Sequence, residues 1–316
     1  MIAAAFAVDL IAGDPSWLPH PVRAIGGATA LGERLALWGA RGDARRETVA
    51  GAGLAATIVL TAASCAALLL DGALRIRGVR TAAAFEIVLA ASTLATRDLL
   101  VEADAVLDAL DAGDLARARL RLARIVGRDT GSLDEPEVVR AVIETLAEST
   151  CDGIVAPLCA LALGGVPLAY AFKAASTLDS MIGHIEPPHT YLGWFAAKLD
   201  DAFCFVPARL TAFAICLVAP LAGGSIALAR RTLVADGDRH RSPNAGRPEA
   251  AMAGALQVRL GGTNVYAGNA HHGEVIGSQF AGPNSADGRR ARRLVLCVAT
   301  LSAGAIACVT AACEAV

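Results

Sequence analysis

The sequence predicts an all-α, polytopic integral membrane protein with about five to six transmembrane helices joined by long, helical polar loops. Three observations lead there. Apolar residues make up 55% of the 316 residues and charged residues only 18%, below the roughly one quarter charged that soluble domains carry. The charges are also segregated: 50–70 and 153–172 hold none, whereas 97–152 and 229–292 are rich in them. Finally, aromatics are only 4%, and the Ala-, Leu-, Val- and Gly-rich remainder suits helices packed closely through small residues.

The elements follow in order. No Lys or Arg precedes the apolar N-terminus and Asp9 interrupts it, which argues against a cleaved signal peptide. As a helix, residues 2–12 reach about 17 Å, short of a hydrocarbon core of about 30 Å, so a short, tilted or re-entrant helix is expected. After Asp14-Pro15 a Pro-rich turn leads into an amphipathic helix to about residue 38. A polar loop at 40–47 precedes a span at 50–70, and 71–80 is a connector to a second candidate span at 81–96, weakened by Glu86. Residues 97–152 are polar and helical, and 153–172 form a clear third span. A mixed loop is expected over 173–203, a fourth span carrying Arg209 over 204–228, a long polar loop over 229–292, and a last span over 294–313.

The N-terminal region, 97–152 and 229–292 hold most of the arginines, against three Arg and two Lys in the connectors 71–80 and 173–203. The positive-inside rule puts the arginine-rich loops in the cytoplasm. That leaves 173–203 on the opposite face, or folded back into the membrane where its backbone lines a cavity. A net charge of −2 indicates no nucleic-acid partner. The eight cysteines show no CxxC pair, so neither a disulfide framework nor a zinc site is expected.

Polar chemistry concentrates between Arg140 and His184. Arg140, Glu144 and Glu148 are spaced four apart, which puts them on one helix face, and Asp152 continues the line. Beyond the uncharged run come Lys173, Asp179 and His184. Acids and bases bracketing a membrane-length segment suggest a reaction at a membrane surface. Downstream, Ser180, His189, Lys198 and the pair Asp200-Asp201 crowd the same region; paired acids can hold Mg²⁺ through oxygen. Arg209 sits in an apolar segment, where a charge costs roughly 2.5–3.5 kcal/mol and usually has a partner or task. Further on, Ser242-Pro243-Asn244-Ala245-Gly246 reads as a turn, with Pro248 at the first helical position and Glu249 in the first turn. Flanking Arg239, Arg241 and Arg247 make phosphate the expected ligand of that helix start. Neither a P-loop nor a dinucleotide fingerprint occurs. Each feature has a plainer reading: a solvated connector, a capped helix start, an intramembrane ion pair.

Taken together, several motifs resemble the CobD/CbiB family of adenosylcobinamide-phosphate synthases. They are the opening DLIAGDPSWLPHPVRAIG, Arg128-Asp129-Thr130, ETLAES..DGIVAPL at 144–158, KA..TLDSMIGH at 173–184, KLDD at 198–201, PARLTA at 207–212, and DRHRSPNAGRPEAAMAGAL..RLGG from Asp238 to Gly262. They stand in family order over nearly the whole chain. Ser149, Ser176 and Cys204 stand where the family pattern leads one to expect Asn.

The resemblance implies one membrane domain over 1–316 and a multi-pass inner-membrane enzyme of the corrin pathway. Its members join (R)-1-amino-2-propanol, or its O-phosphate, to the free propionate carboxylate of adenosylcobyric acid. Amide formation from a carboxylate needs activation, so ATP with Mg²⁺ as co-substrate is implied, through an acyl phosphate. By side-chain chemistry, Asp179, His184, Glu144 and Glu148 are the candidates for proton transfer, and Asp152, Asp200 and Asp201 for Mg²⁺. Candidates for binding substrate or phosphate are Arg128, Lys173, Arg209, Arg239, Ser242 and Asn244, with Asp14, His20, Arg23, Asp129, Ser180, His240 and Glu249 from the matching motifs. The expected partners are the corrinoid, the amine, the lipid bilayer and other corrin-pathway enzymes. A transporter and a non-catalytic scaffold for corrinoid enzymes are the alternatives.

Overall fold

The computed structural model describes residues 1–15, 17, 20–40, 42–183 and 189–314. Among them the chain forms twelve α-helices and one β-hairpin. The helices are α1 (Ile2–Ala12), α2 (Pro21–Ala40), α3 (Ala44–Arg77), α4 (Val79–Ala91), α5 (Thr96–Asp111), α6 (Leu115–Leu122), α7 (Glu135–Thr150), α8 (Ala156–Ile182), α9 (Trp194–Val218), α10 (Ile226–Asp236), α11 (Gly246–Leu256) and α12 (Ser285–Glu314). The strands are β1 (Leu260–Tyr266) and β2 (Asn269–Ile276).

Local chemistry starts these helices. Asp43 caps α3 by accepting from Arg46 N–H at 2.8 Å, and Asp114 caps α6 by accepting from Arg117 N–H at 2.9 Å. Asp134 and Glu137 form a reciprocal capping box at α7, each bond 2.9 Å. Such caps satisfy amide donors that a helix start leaves without carbonyl partners.

Four helical segments are long and apolar enough to cross a membrane: Ala44–Arg77, Glu135–Ile182, Trp194–Ala222 and Ser285–Cys313. They cover four of the expected spans. The stretch expected as a span over 81–96 instead forms α4, whose 13 residues reach only about 20 Å. Two loops are corrected. Lys173 to Ile182 continue α8, and Trp194 to Phe203 begin α9, so both ends of the expected 173–203 loop are helical. Lys173, Asp179, Asp200 and Asp201 are polar positions on helices, not loop residues. The expected 229–292 loop holds α10, α11, the hairpin and the start of α12. Pro248 is the third residue of α11 rather than the first. The long segment before Ile182 also changes character, with a π-helical turn at Cys151–Val155 and a break at Gly164-Gly165 ahead of Pro167. All eight cysteines are free.

Two compact units divide the chain. The first comprises Met1–Ala95, Ala156–Cys204 and Ala303–Val316. Its core sets Ala55 of α3 against Leu178 and Ile182 of α8, Leu192 and Ala196, with Leu54, Ile58, Met181 and Phe195 packed around them. Ser92 and Tyr170 share a 2.6 Å hydrogen bond that satisfies two hydroxyls inside this unit.

The second unit comprises Thr96–Val155 and Phe205–Ser302. Its centre is α11, buried from Pro248 to Leu256. The Ala/Gly composition of α11 permits this: a side chain at Gly254 would come within 2.5 Å of Leu228 O and 2.7 Å of Ala229 Cα on α10. Arg290 closes one end by donating to Ala222 O (2.9 Å), Gly223 O (3.2 Å) and Leu256 O (3.1 Å). One guanidinium thus satisfies carbonyls left at helical ends. β1 and β2 pair antiparallel through a two-residue turn at Ala267-Gly268, both with positive φ, the twist that suits a tight hairpin. The buried Asp236 carboxylate accepts Gly277 N–H at 2.8 Å and ties the end of β2 to α10.

Candidate functional site

The strongest polar cluster lies in the second unit and is built around Glu144. The four-residue spacing on α7 works as expected: Arg140 Nη1 reaches Glu144 Oε1 at 3.3 Å. Arg128, from the segment before α7, donates to Glu144 Oε2 at 2.6 Å. The hairpin supplies the rest. Gly261 N–H donates to Glu144 Oε1 at 2.8 Å. Asn264 Oδ1 accepts from both guanidiniums, at 2.9 Å from Arg128 and 3.1 Å from Arg140. Arg140 also donates to Gly261 O at 2.5 Å and to Thr263 O at 3.3 Å. The Arg128, Arg140 and Glu144 side chains are only 11%, 11% and 7% exposed. Charge-assisted bonds at these lengths in a dry setting are strong and directional.

Glu249, in the first turn of α11, lies within electrostatic reach of Glu144, Glu148, Arg128 and Arg140. Burial, then the charges of Glu144 and Glu148, push its carboxyl well above the usual carboxylate range, against the opposing pull of the two arginines. Glu148, one turn beyond Glu144, is exposed. The expected shared face of α7 therefore carries one enclosed and one solvated carboxylate. Asp129 is engaged at the hairpin: its carboxylate accepts Gly268 N–H and its N–H donates to Val265 O, both at 2.8 Å.

A second group leads into α11. Ser242 Oγ accepts from the N–H groups of Asn244 and Ala245, each at 3.2 Å. Those two amides, expected to face an anion, are already bonded to the chain's own hydroxyl. Arg209 stacks 3.5 Å over the Phe205 ring, donates to Phe205 O at 2.5 Å and reaches Asn244 Oδ1 at 3.4 Å. His240 Nδ1 accepts Ser242 N–H at 3.0 Å, and burial pushes its imidazole pKa down. Arg239 is exposed and pairs with Asp236 at 3.2 Å. Asp152 is half-buried in the π-helical turn.

The first unit holds the remaining candidates. His20 Nε2 lies 3.0 Å from Asp14 Oδ1, and Arg23 donates to Pro15 O at 3.4 Å, so these candidates contact residues of their own motif. On α8, Lys173 and Asp179 are half-buried, and Ser180 Oγ bonds back to Ser176 O at 2.8 Å. On α9, Lys198 pairs with Asp201 at 3.0 Å. His184 lies outside the described residues. His189 pairs with Glu33 of α2 at 2.8 Å.

Comparison with known proteins joins these motifs. The family model described as "CobD/Cbib protein" matches residues 2–295. The chain belongs to the CobD/CbiB family. It is 44% identical over 317 residues to the "Cobalamin biosynthesis protein CobD" of Pelobacter propionicus, covering 99% of this chain and 95% of the relative. A relative of the same description from Geobacter metallireducens is 46% identical over 271 residues, covering 85% of this chain and 83% of its own length. One from Clostridium tetani is 39% identical over 280 residues, covering 88% and 87%. No solved structure matches the chain. The family match takes in most of both units. Sequence reasoning missed Asn264, included Gly261 in a matching motif without a role, and placed Arg140 on the right helix face without giving it a task. The only available signal was the short run Leu260–Tyr266 followed by Ala267-Gly268, a faint hairpin cue.

Proposed function

We propose that the protein acts in cobalamin biosynthesis as a membrane-embedded, amide-forming ligase. It joins (R)-1-amino-2-propanol or its O-phosphate to the free propionate carboxylate of adenosylcobyric acid. The observation that carries the reading is family membership over residues 2–295, with relatives named as cobalamin biosynthesis proteins across nearly their whole length. The cluster at Glu144 supports it chemically: fixed guanidiniums and carboxylates are what a reaction between a carboxylate, a phosphoryl group and an amine requires.

ATP supplies the activation, converting the propionate to an acyl phosphate that the amine then attacks. Asp200 and Asp201 offer the oxygen donors that Mg²⁺ takes, together with substrate phosphates. Asp201 is balanced by Lys198 at 3.0 Å, so a metal–nucleotide would replace that lysine as its counter-charge. Asp152 is the third candidate for this role. Lys173 and Arg209 suit phosphate or carboxylate, and Asp179 and His184 suit proton transfer.

The protein is placed by this reading in the inner membrane, with the arginine-rich loops cytoplasmic. A count of five requires α1 or α4 to enter the bilayer beside the four long segments, and a count of six requires both. Accessibility of single cysteines from each side, in a cysteine-free background, checks both points.

The reaction is tested in membranes containing the protein, adenosylcobyric acid, aminopropanol phosphate, ATP and Mg²⁺, following corrinoid mass. A mass gain matching amide formation, absent with Asp179→Asn and Glu148→Gln, is expected. Correctly inserted protein that gives no gain, beside a relative that does, would sink the reading. Substrate-dependent flux without a new covalent product would make it a transporter; neither flux nor product would favour a scaffold.

A further inference from the structure

Arg128 and Arg140 bond the same two side chains, Glu144 and Asn264, yet the two guanidiniums are held differently. Arg140 donates from Nη1 to Glu144 and Gly261 O, and from Nη2 to Asn264 and Thr263 O. Those bonds engage every hydrogen on its terminal nitrogens, so Arg140 clamps the hairpin to α7. Arg128 has two acceptors among the described residues: Asn264 Oδ1 at 2.9 Å from Nη1 and Glu144 Oε2 at 2.6 Å from Nη2. Its Nε–H and one N–H on each terminal nitrogen meet no protein acceptor among the described residues. The backbone beside it is fixed. Asp129 N–H donates to Val265 O and its carboxylate accepts Gly268 N–H, both at 2.8 Å. Arg128 is thus an aimed guanidinium with donors to spare, and its planar fork matches a carboxylate or a phosphoryl group.

The acceptor that both arginines share is an amide, not a second carboxylate. In direct contact, two guanidiniums face the one carboxylate of Glu144, and Asn264 and backbone carbonyls complete the set. An aspartate at 264 would offer the same oxygen and stronger, charge-assisted bonds, but it would match the second guanidinium's charge from within the protein. The amide holds both arginines in place and leaves that charge for a ligand. Glu148 and Glu249 also lie in this field. Glu148 is exposed, so water screens it, and burial disfavours the charged form of Glu249. We propose that Arg128 is the receptor for an oxyanion of the reaction proposed above, a carboxylate or a phosphoryl group, and that Asn264 is its positioning residue, acting through the guanidinium. The hairpin is then part of the binding site, because it carries the acceptor that aims Arg128. The source of the oxyanion, the corrinoid propionate or the terminal phosphate of ATP, rests on the ligase reading.

The test titrates the full chain in lipid nanodiscs by calorimetry, with adenosylcobyric acid in one arm and ATP with Mg²⁺ in the other. Asn264→Asp should weaken binding in at least one arm by about 10–100-fold, the worth of a hydrogen bond to a charged group. Its melting temperature should stay at or above that of the wild type. A purely structural Asn264 gives the opposite result, because the aspartate keeps the acceptor and strengthens it. Loss in the corrinoid arm alone identifies the propionate as the bound oxyanion; loss in the nucleotide arm alone identifies the phosphate. Arg128→Lys keeps the charge and loses the fork, and should weaken the same arm to a similar degree. Wild-type affinity for both probes in either variant overturns the proposal, as does wild-type protein that binds neither probe. So does a loss of affinity accompanied in both variants by faster hydrogen exchange throughout the hairpin, since an undocked hairpin would then explain it. The ligase reading fails separately: protein that makes no amide, yet binds a probe through Asn264 and Arg128, loses the reaction and keeps the receptor.

Discussion

Two arginine–carboxylate clusters stand in the second unit, built from the same groups in different surroundings. In the first, Arg128 and Arg140 close on Glu144 and Asn264, with the three charged side chains no more than 11% exposed. In the second, Arg289 and Arg292 at the start of α12 meet Asp104, Asp108 and Asp111 of α5, with side chains 28–71% exposed. The second has more ion pairs. The first has hydrogen bonds on nearly every polar atom and the hairpin backbone as part of its wall. Counting pairs would rank them wrongly. Removal from water makes the first cluster rigid and costly to disturb, whereas the second braces a helix end in a medium that weakens each contact.

Breaking the comparison starts with Glu144. Glu144→Ala leaves two nearly buried guanidiniums without their carboxylate and should cost about 3–5 kcal/mol, the usual penalty for stranding a buried partner. Thermal unfolding in detergent reads it. A loss below about 1 kcal/mol would mean that water enters the cluster freely and the contrast is false.

Asn264→Ala comes next. It removes one acceptor shared by two guanidiniums but leaves Glu144 in place, so about 1–3 kcal/mol is expected. The loss should be local. Hydrogen exchange at Gly261 N–H, which bonds Glu144, should accelerate while α10 and α11 keep their protection. Uniform acceleration would show that Asn264 supports the whole unit rather than the hairpin's seat.

Glu249 gives a third effect, with a definite sign. Its folded carboxyl is raised above the ordinary 4.5, so between that value and its folded one the native chain binds more protons than the unfolded chain. Stability is then fully present below the ordinary value and is lost as pH rises, by up to about 1.4 kcal/mol per pH unit. Glu249→Gln should flatten this slope. Melting temperature against pH, wild type minus variant, is the measurement, and a difference independent of pH would contradict the assignment.

How much of this was legible in the sequence divides along physical lines. The four long apolar segments were readable because a bilayer sets both length and composition. The contact between Arg140 and Glu144 was readable because helix periodicity puts residues four apart side by side. The tie from Arg140 to Asn264 spans 124 positions, and nothing local marks it. The hairpin was hidden because its strands are polar and half-exposed, and its turn is Ala-Gly rather than a stronger turn pair. The ends of α8 and the start of α9 read as loop because Lys173, Asp179, Asp200 and Asp201 were taken for solvent. They are polar positions on helices that also bury Leu178, Ile182 and Ala196. The charge imbalance at Glu249 needs α7, α11 and the segment holding Arg128 placed together, which no single window of sequence contains.

The smallest effect belongs to the exposed cluster. Asp111 accepts from Ser285 and from Arg289 Nη2 at 2.7 Å, and these contacts, Ser285 first, hold its carboxyl below the ordinary 3.8. Its contribution is therefore present above that value and is lost only as pH falls below it. Half of its side chain is exposed, so water and salt already screen the pair, and Arg289 keeps Asp104 and Asp108 when Asp111 is gone. Asp111→Asn should cost no more than about 1 kcal/mol at low ionic strength and less at 1 M salt, where the screening length falls to about 3 Å. Glu144→Gln, measured under the same two conditions, should keep its cost. Equal salt sensitivity in both variants would place both clusters in water and remove the reason for assigning chemistry to the first.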